Sequence, residues 1–261
     1  CIRDRRNTVL FPGVVIPITA SRDKSIKLIK DANNFNKLLG VVAQKDENIE
    51  DPKLKDIYKI GTVAKILKVL QMPDGNTTVI IQGKKRFEIE RVISEKPYIT
   101  SNIKDYPEEN PGKNNSEFNA IIDSIKDLSL EIIKRNPNIP SEASFAIKNI
   151  ESNSFLINFV SSNLNLPVNE KQVLLEINNL QKRALETLKH MNVEFKKLEI
   201  KNDIQSKVQT DLNCFWLYSN LNASLVLKDE TLYQNSIKLI KDLIYKIRNN
   251  IYHCDNKNKV N

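Results

Sequence analysis

Two glycine–lysine pairs are the first places to look for phosphate chemistry. A loop that cradles phosphates needs Gly, four residues, then Gly-Lys-Ser/Thr, so that backbone N–H groups surround the phosphates and the hydroxyl holds magnesium. Gly83-Lys84 has Thr78 where the first glycine belongs and Lys85 where the hydroxyl belongs; Gly112-Lys113 has Pro107 and Asn114 there. Metal and nucleophile chemistry find no better footing. His190 lies within a helical pattern and His253 beside Cys254, and with Cys214 these lack the paired spacing of a metal site. Carboxylates are plentiful, yet none is framed by a motif that separates a general acid or base from a solvated side chain. No catalytic residue, metal or cofactor is therefore expected, and the chain is read as neither hydrolysing ATP nor cutting peptides.

Charge narrows the partners. The net charge is +8, but it is spread thinly: 20 Lys and Arg against 15 Asp and Glu in residues 1–112, 13 against 13 in 113–212, and 7 against 4 beyond. Only Lys84-Lys85-Arg86 is a tight basic cluster, and Glu88 and Glu90 follow it, so nucleic acid is not the expected partner. Cys1, Cys214 and Cys254 are too few and scattered for a disulfide framework. No stretch approaches the ~20 apolar residues that span a bilayer, and no signal-peptide core follows the basic start. A cytoplasmic protein without a membrane partner is expected.

The elements that would position a binding surface divide the chain. All six glycines fall in the first 112 residues, where turns, bulges and strand corners use them. Thr8–Phe11, Val14–Ile18, Leu38–Gln44, Thr62–Gln71, Thr77–Gln82, Arg86–Val92 and Tyr98–Ile103 read as strands, with Phe87 and Ile89 alternating with Glu88 and Glu90. Met72-Pro73-Asp74-Gly75-Asn76 is a turn with a mechanism: Pro73 pre-sets φ, Gly75 accepts positive φ, and Asp74 bonds locally. Gly13 and Gly83 mark a further turn and a bulge or corner. Residues 22–33 form a short helix with Ser21 as its cap.

Residues 107–116, with Pro107, Pro111 and Gly112, separate this β-rich part (1–106) from a helical one (117–212). Phe118, Ile121, Ile122, Ile125, Leu128 and Ile132 make one helical stripe. Ser141 is expected to cap the next helix, and a further one covers Phe155–Asn163. Asn169 with Gln172 then opens a much longer helix whose Ile177, Leu180, Ala184, Leu188, Met191, Phe195 and Leu198 recur at steps of three and four. The second half of that stripe, Leu188, Met191, Phe195 and Leu198, is expected to seek another subunit, giving self-association through residues 170–212. From Asn213 the composition shifts, and residues 213–261 read as a divergent helical or coil tail.

Taken in order, Arg6-Asn7-Thr8-Val9-Leu10-Phe11-Pro12-Gly13 with Pro17, Gly40-Val41-Val42-Ala43-Gln44, Gly61-Thr62-Val63-Ala64-Lys65-Ile66 and Gly83-Lys84-Lys85-Arg86-Phe87 resemble the N-terminal domain of the bacterial Lon protease family. The resemblance covers most of residues 5–212. It implies an α+β fold: a twisted, partly closed PUA-like β domain, then a helical bundle and a long helix. It also implies a substrate-recognition and assembly role, capturing unfolded or damaged polypeptides in protein quality control. An exposed strand edge with apolar side chains nearby can hold extended chains without reading an exact sequence. Phe11, Pro12, Leu70 and Met72, beside the expected turns, are the candidate contacts.

The chain departs from that family where catalysis would be. No glycine follows Gly112, so the family's peptidase segment, whose nucleophilic serine sits among glycines, is missing along with the phosphate loop. After Asp211-Leu212 the pattern gives way to Asn213-Cys214-Phe215-Trp216, which suggests a truncated or frame-disrupted relative. Two alternatives stand beside the leading reading: a PUA-like RNA-binding module built on Lys84-Lys85-Arg86, and a non-functional fragment of a disrupted gene.

Overall fold

The computed structural model describes residues 9–20, 22–46, 48–49, 52–72, 76–112, 115–227, 230–231, 233–242 and 245. The expected turn residues Pro73, Asp74 and Gly75, and the expected cap Ser21, lie outside the described residues, as do Cys1, His253 and Cys254. The chain divides into two compact units, residues 1–198 and 199–261.

In the first unit, β1 (Val15–Ala20), β2 (Leu38–Val41), β3 (Ile60–Gln71), β4 (Thr77–Ser94) and β5 (Thr100–Asp105) form one antiparallel sheet. The two expected strands 77–82 and 86–92 are one 18-residue strand, β4. Along one side it pairs with β3; along the other it pairs first with β1 and then with β5. Gly83 marks the changeover: its N–H donates to the Val14 carbonyl and its carbonyl accepts from Gly13 N–H, at 2.9 and 3.0 Å. A side chain at Gly83 would collide with the Phe11 carbonyl, so only glycine lets the chain before β1 cross here. Gly13 turns that chain with φ +83°, a left-handed conformation that suits glycine. Shifts in pairing leave Leu67, Lys84, Glu90 and Ile93 as extra residues, and such bulges bend and coil long strands.

Helix α1 (Asp23–Phe35) lays Ile29 and Ala32 onto Ala64, Ile66, Val79 and Ile81. No side chain caps it. Residues 8–11, expected as a strand, are not one over their described part; Val9 and Phe11 instead pack with Val14, Ala43 and the later Leu174 and Leu175.

The helical part comprises α2 (Ser116–Arg135), α3 (Ala143–Lys148), α4 (Asn153–Asn163), α5 (Val168–Glu176) and α6 (Leu180–Leu227). Asn115 and Ser152 cap α2 and α4 by accepting from the N–H groups of Phe118 and Phe155. Ser141 does not cap α3, whose N-cap is Glu142. The α2 stripe packs with Leu156, Ile157 and Val160 of α4 and with Leu180, Ala184 and Met191 of α6. Apart from Ala184, each of these buried side chains contributes about 1.5–3 kcal/mol through water-excluded area.

The single long helix expected from Asn169 is two helices. The chain is held open at residues 177–179 by buried guanidinium groups that claim the carbonyls at the end of α5. Arg86 of β4 donates to the carbonyls of Leu175 (2.8 Å), Ile177 (2.9 Å) and Pro107 (3.3 Å). Arg183 of α6 donates twice to Ile177 O and also to Glu108 Oε2 (2.8 Å) and Asn158 Oδ1 (2.9 Å). The Asn179 side chain accepts from Lys182 N–H, starting the new helix. Residue 109 stitches the break, donating to Asn178 O and accepting from Leu180 N–H.

Burial and the like charge of Arg183 pull Arg86 down to about 10, partly offset by Glu108. Burial likewise lowers Arg183, with Glu108 opposing. This joint fixes the sheet on the helices, and Asn158 extends it to the Pro12 carbonyl.

The second unit contains the C-terminal stretch of α6, which continues without a break through Asn213, followed by helical residues 230–231 and 233–242. Phe215, Trp216 and Tyr218 are exposed there.

Candidate functional site

A groove of about 970 Å³ opens in the β unit. Its floor is the sheet face carrying Val63, Phe87 and Ile89. One wall is β2 with the start of α1: Leu38, Leu39, Gly40 and Val42, with Leu28 above them. The opposite wall is the end of β4 and the beginning of β5, including Tyr98, Ile99 and Ile103. Pro52 and Ile57 also line it.

Strand period explains why Leu38 and Ile103 face outward. β2 alternates exposed and half-buried positions, so Leu38 is 43% exposed while Leu39 turns toward the core under α1. Ile103 on β5 is 46% exposed.

β2 ends the sheet. Ile66 N–H donates to Lys37 O at 2.7 Å, which sets the ladder phase: residues 39 and 41 bond to β3, while the backbone groups of Leu38 and Gly40 point away from it. Asn36 Oδ1 takes the Leu38 N–H at 3.0 Å. Gly40 is exposed on the groove wall, so its backbone offers a donor and an acceptor on an open strand edge. The Tyr98 hydroxyl donates to Asp31 of α1 at 3.0 Å, tying the two walls together. That hydrogen bond raises the Tyr98 pKa.

The groove can hold an extended chain, through edge hydrogen bonds and apolar contact. Among the described residues no three His, Cys, Asp or Glu are grouped as metal ligands. His190 lies 3.7 Å from Glu170, a contact between α5 and α6.

Phe11, Pro12, Leu70 and Met72, the residues expected to bind, do not line this groove. Phe11 has no exposed surface and packs in a core cluster with Val9, Val14, Ala43, Leu174 and Leu175. Pro12 is half-buried and gives its carbonyl to Asn158. Leu70 is half-buried and Met72 is 38% exposed, at the far end of the β3–β4 hairpin and outside the groove lining.

The stripe expected to seek a second subunit is also used within the chain. Met191 is buried in the helical core, and Leu188, Phe195 and Leu198 pack against it. Arg135 of α2 covers the Phe195 ring at 4.8 Å.

The Lys84-Lys85-Arg86 cluster is dispersed. Arg86 is buried in the joint, Lys85 pairs with Asp105 at 2.6 Å, and Lys84 donates to Gln82.

The groove residues escaped sequence reading because a lining drawn from four strands and a helix has no linear signature. A signal did exist: adjacent Leu38 and Leu39 in an extended run must face opposite ways, so one of them must look outward.

Comparison with known proteins places these features in a family. A family model described as the ATP-dependent protease La (LON) substrate-binding domain matches residues 5–193. A Lon protease of Flavobacterium johnsoniae is 70% identical over 208 residues, which cover 80% of this chain and 26% of that protein. A Lon protease of Karelsulcia muelleri is 39% identical over 293 aligned positions, covering 92% of this chain and 34% of that one. The chain thus spans about a quarter to a third of the length of these curated relatives.

Among solved structures, the N-terminal domain of the Mycobacterium avium complex Lon protease is similar with a TM-score of 0.58 at 21% identity, covering 71% of this chain and 94% of that one. At that identity the likeness shows the fold, an α+β arrangement of a β domain followed by helices. Among the described residues no helix is long and apolar enough to cross a membrane.

Proposed function

The chain belongs to the LON substrate-binding domain family, and from that premise we propose that its groove captures extended segments of unfolded or damaged polypeptides for a Lon-type protease in protein quality control. The observation that carries the reading is an apolar floor beside an open strand edge: Val63, Phe87 and Ile89 lie next to Gly40, whose backbone is exposed. Folded proteins keep their backbone donors and apolar side chains satisfied inside. An unfolded segment offers both, and a groove of this kind takes it without reading a defined sequence. The segment is held, not transformed.

The test is fluorescence anisotropy of a labelled, reduced and alkylated protein that cannot refold, titrated with the full chain. Leu38→Asp with Ile103→Asp places charge on both walls at exposed positions, where stability changes stay within about 0.5 kcal/mol. Affinity is expected to fall tenfold or more, since each wall contact contributes on the order of 1 kcal/mol. Met72→Asp, away from the groove, is expected to leave it unchanged. Absence of binding by the unaltered chain, or equal binding by the doubly substituted one, overturns the proposal.

A further inference from the structure

Among the described residues three strands have a neighbour on one side only: β1 and β5, which pair with β4, and β2, which pairs with β3. Open edges invite unwanted pairing, and proteins blunt them with proline or charge. Gly83 N–H donates to Val14 O, which puts the backbone of residues 15, 17 and 19 on the outer side of β1, and there Pro17 has no donor to offer. Tyr106 N–H donates to Arg86 O, which turns the backbone of Ile103 and Asp105 outward on β5, where exposed Lys104 and Asp105 charge the edge. The edge strand β2, Leu38-Leu39-Gly40-Val41, carries neither proline nor charge. Its outward groups are the N–H and carbonyl of Gly40 and the carbonyl of Leu38, since Asn36 takes the Leu38 N–H. Glycine leaves this edge bare beside the groove floor: a Cβ at position 40 would lie 3.0 Å from the Phe87 ring.

We infer that a captured segment joins the sheet as a strand beside β2, so that the site selects segments with an unsubstituted N–H at two alternate residues. The inference rests on the capture role proposed above and adds to it a chemical class of substrate: extended main chain free of proline at those two positions. In an antiparallel arrangement one residue of the segment exchanges both bonds with Gly40, and the residue two places along donates to Leu38 O. In a parallel one, a single residue donates to Leu38 O and accepts from Gly40 N–H, and the residue two places along donates to Gly40 O. Either way the segment uses two N–H groups with one residue between them, and the intervening N–H faces away. Side chains of the added strand alternate across the edge, so every second one lies on the same face as Leu38 and Phe87. Main-chain bonds thus supply the requirement for an extended backbone, and apolar contact supplies the rest of the affinity.

The test compares Gly40→Pro with Gly40→Ala in the full chain, using anisotropy of the labelled, reduced and alkylated protein. Both substitutions place a Cβ against Phe87, and only proline removes the N–H, which the ladder to β3 does not use. Gly40→Pro is expected to bind about five- to tenfold more weakly than Gly40→Ala, the loss of one main-chain hydrogen bond. Circular dichroism checks that both are folded; should Gly40→Pro unfold, a second measurement on the unaltered chain decides. There, a short labelled peptide whose single Phe fixes its register is N-methylated at each residue in turn. Two positions with one residue between them are expected to lose about fivefold or more in affinity, with the residue between them unaffected. Equal binding by the two variants, or a scan in which methylation acts alike at every position, overturns strand addition and leaves capture through apolar contact standing. So does a chain that sediments as a dimer and becomes monomeric on Gly40→Pro, because a second copy then occupies the edge. Failure of the unaltered chain to bind the unfolded protein overturns both.

Discussion

Arg183→Ala is expected to lower the unfolding free energy by about 3–5 kcal/mol, the range for breaking a buried charge pair from one side. Urea unfolding followed by circular dichroism measures it. The residue is fully buried and makes hydrogen bonds to three different groups: the Ile177 carbonyl, Glu108 and Asn158. Alanine leaves the first and third buried without that donor, and leaves the Glu108 carboxylate, partly exposed, beside a cavity. Adding Glu108→Gln should recover only part of the loss, because it removes the unpaired charge but leaves the Asn158 amide oxygen without the Arg183 donor, whereas the Ile177 carbonyl keeps Arg86. A loss below about 1 kcal/mol would mean that water replaces the guanidinium, and that the joint between sheet and helices is not held as described.

Phe11→Ala is expected to cost about 3–5 kcal/mol, as truncation of a fully buried aromatic does. Its ring fills the space between Val9, Val14 and Ala43 of the β unit and Leu174 and Leu175 of α5, so the cavity opens at the seam between the two halves. Under conditions where the variant is folded, its affinity for an unfolded polypeptide should match that of the unaltered chain. The opposite pattern, intact stability with weakened binding, would make Phe11 a ligand contact and contradict the core placement.

The two substitutions test different links between sequence and structure. Phe11 is apolar beside Pro12 and Gly13, and a linear reading sees an aromatic residue at a turn. What buries it is Gly83, about seventy residues on, where the missing side chain lets the Phe11 backbone pass. Arg183 occupies a position within a regular helical pattern, where a cation ordinarily faces water. It is buried because Glu108, Asn158 and the Ile177 carbonyl converge there.

Periodicity was sufficient wherever an element's neighbours merely complete what its own pattern demands. The α2 stripe from Phe118 to Ile132 is the buried face of a helix, and the runs 62–71 and 77–82 pair as one hairpin. The order of β-rich and helical parts, and the family resemblance in the segments around Gly40, Gly61 and Gly83, are likewise legible in one dimension. These depend on residue spacing of 2.0 or 3.6 and on turn chemistry, which are properties of short stretches.

Tertiary structure alone decided where those patterns end and which surfaces remain open. The stripe through Ile177 and Leu180 keeps its helical spacing, yet the helix breaks because Arg86 and Arg183 compete for the carbonyls that would have continued it. The stripe at Leu188–Leu198 is half-buried against the helical core of its own chain, and Lys84-Lys85-Arg86 is divided between a buried joint and a surface ion pair. The groove exists only where four strands, one helix and the segments around Pro52 and Lys96 meet. The physical reason is common to all four: local pattern fixes which faces of the chain are apolar or charged, whereas long-range contacts determine which of those faces are satisfied internally and which are left for a partner.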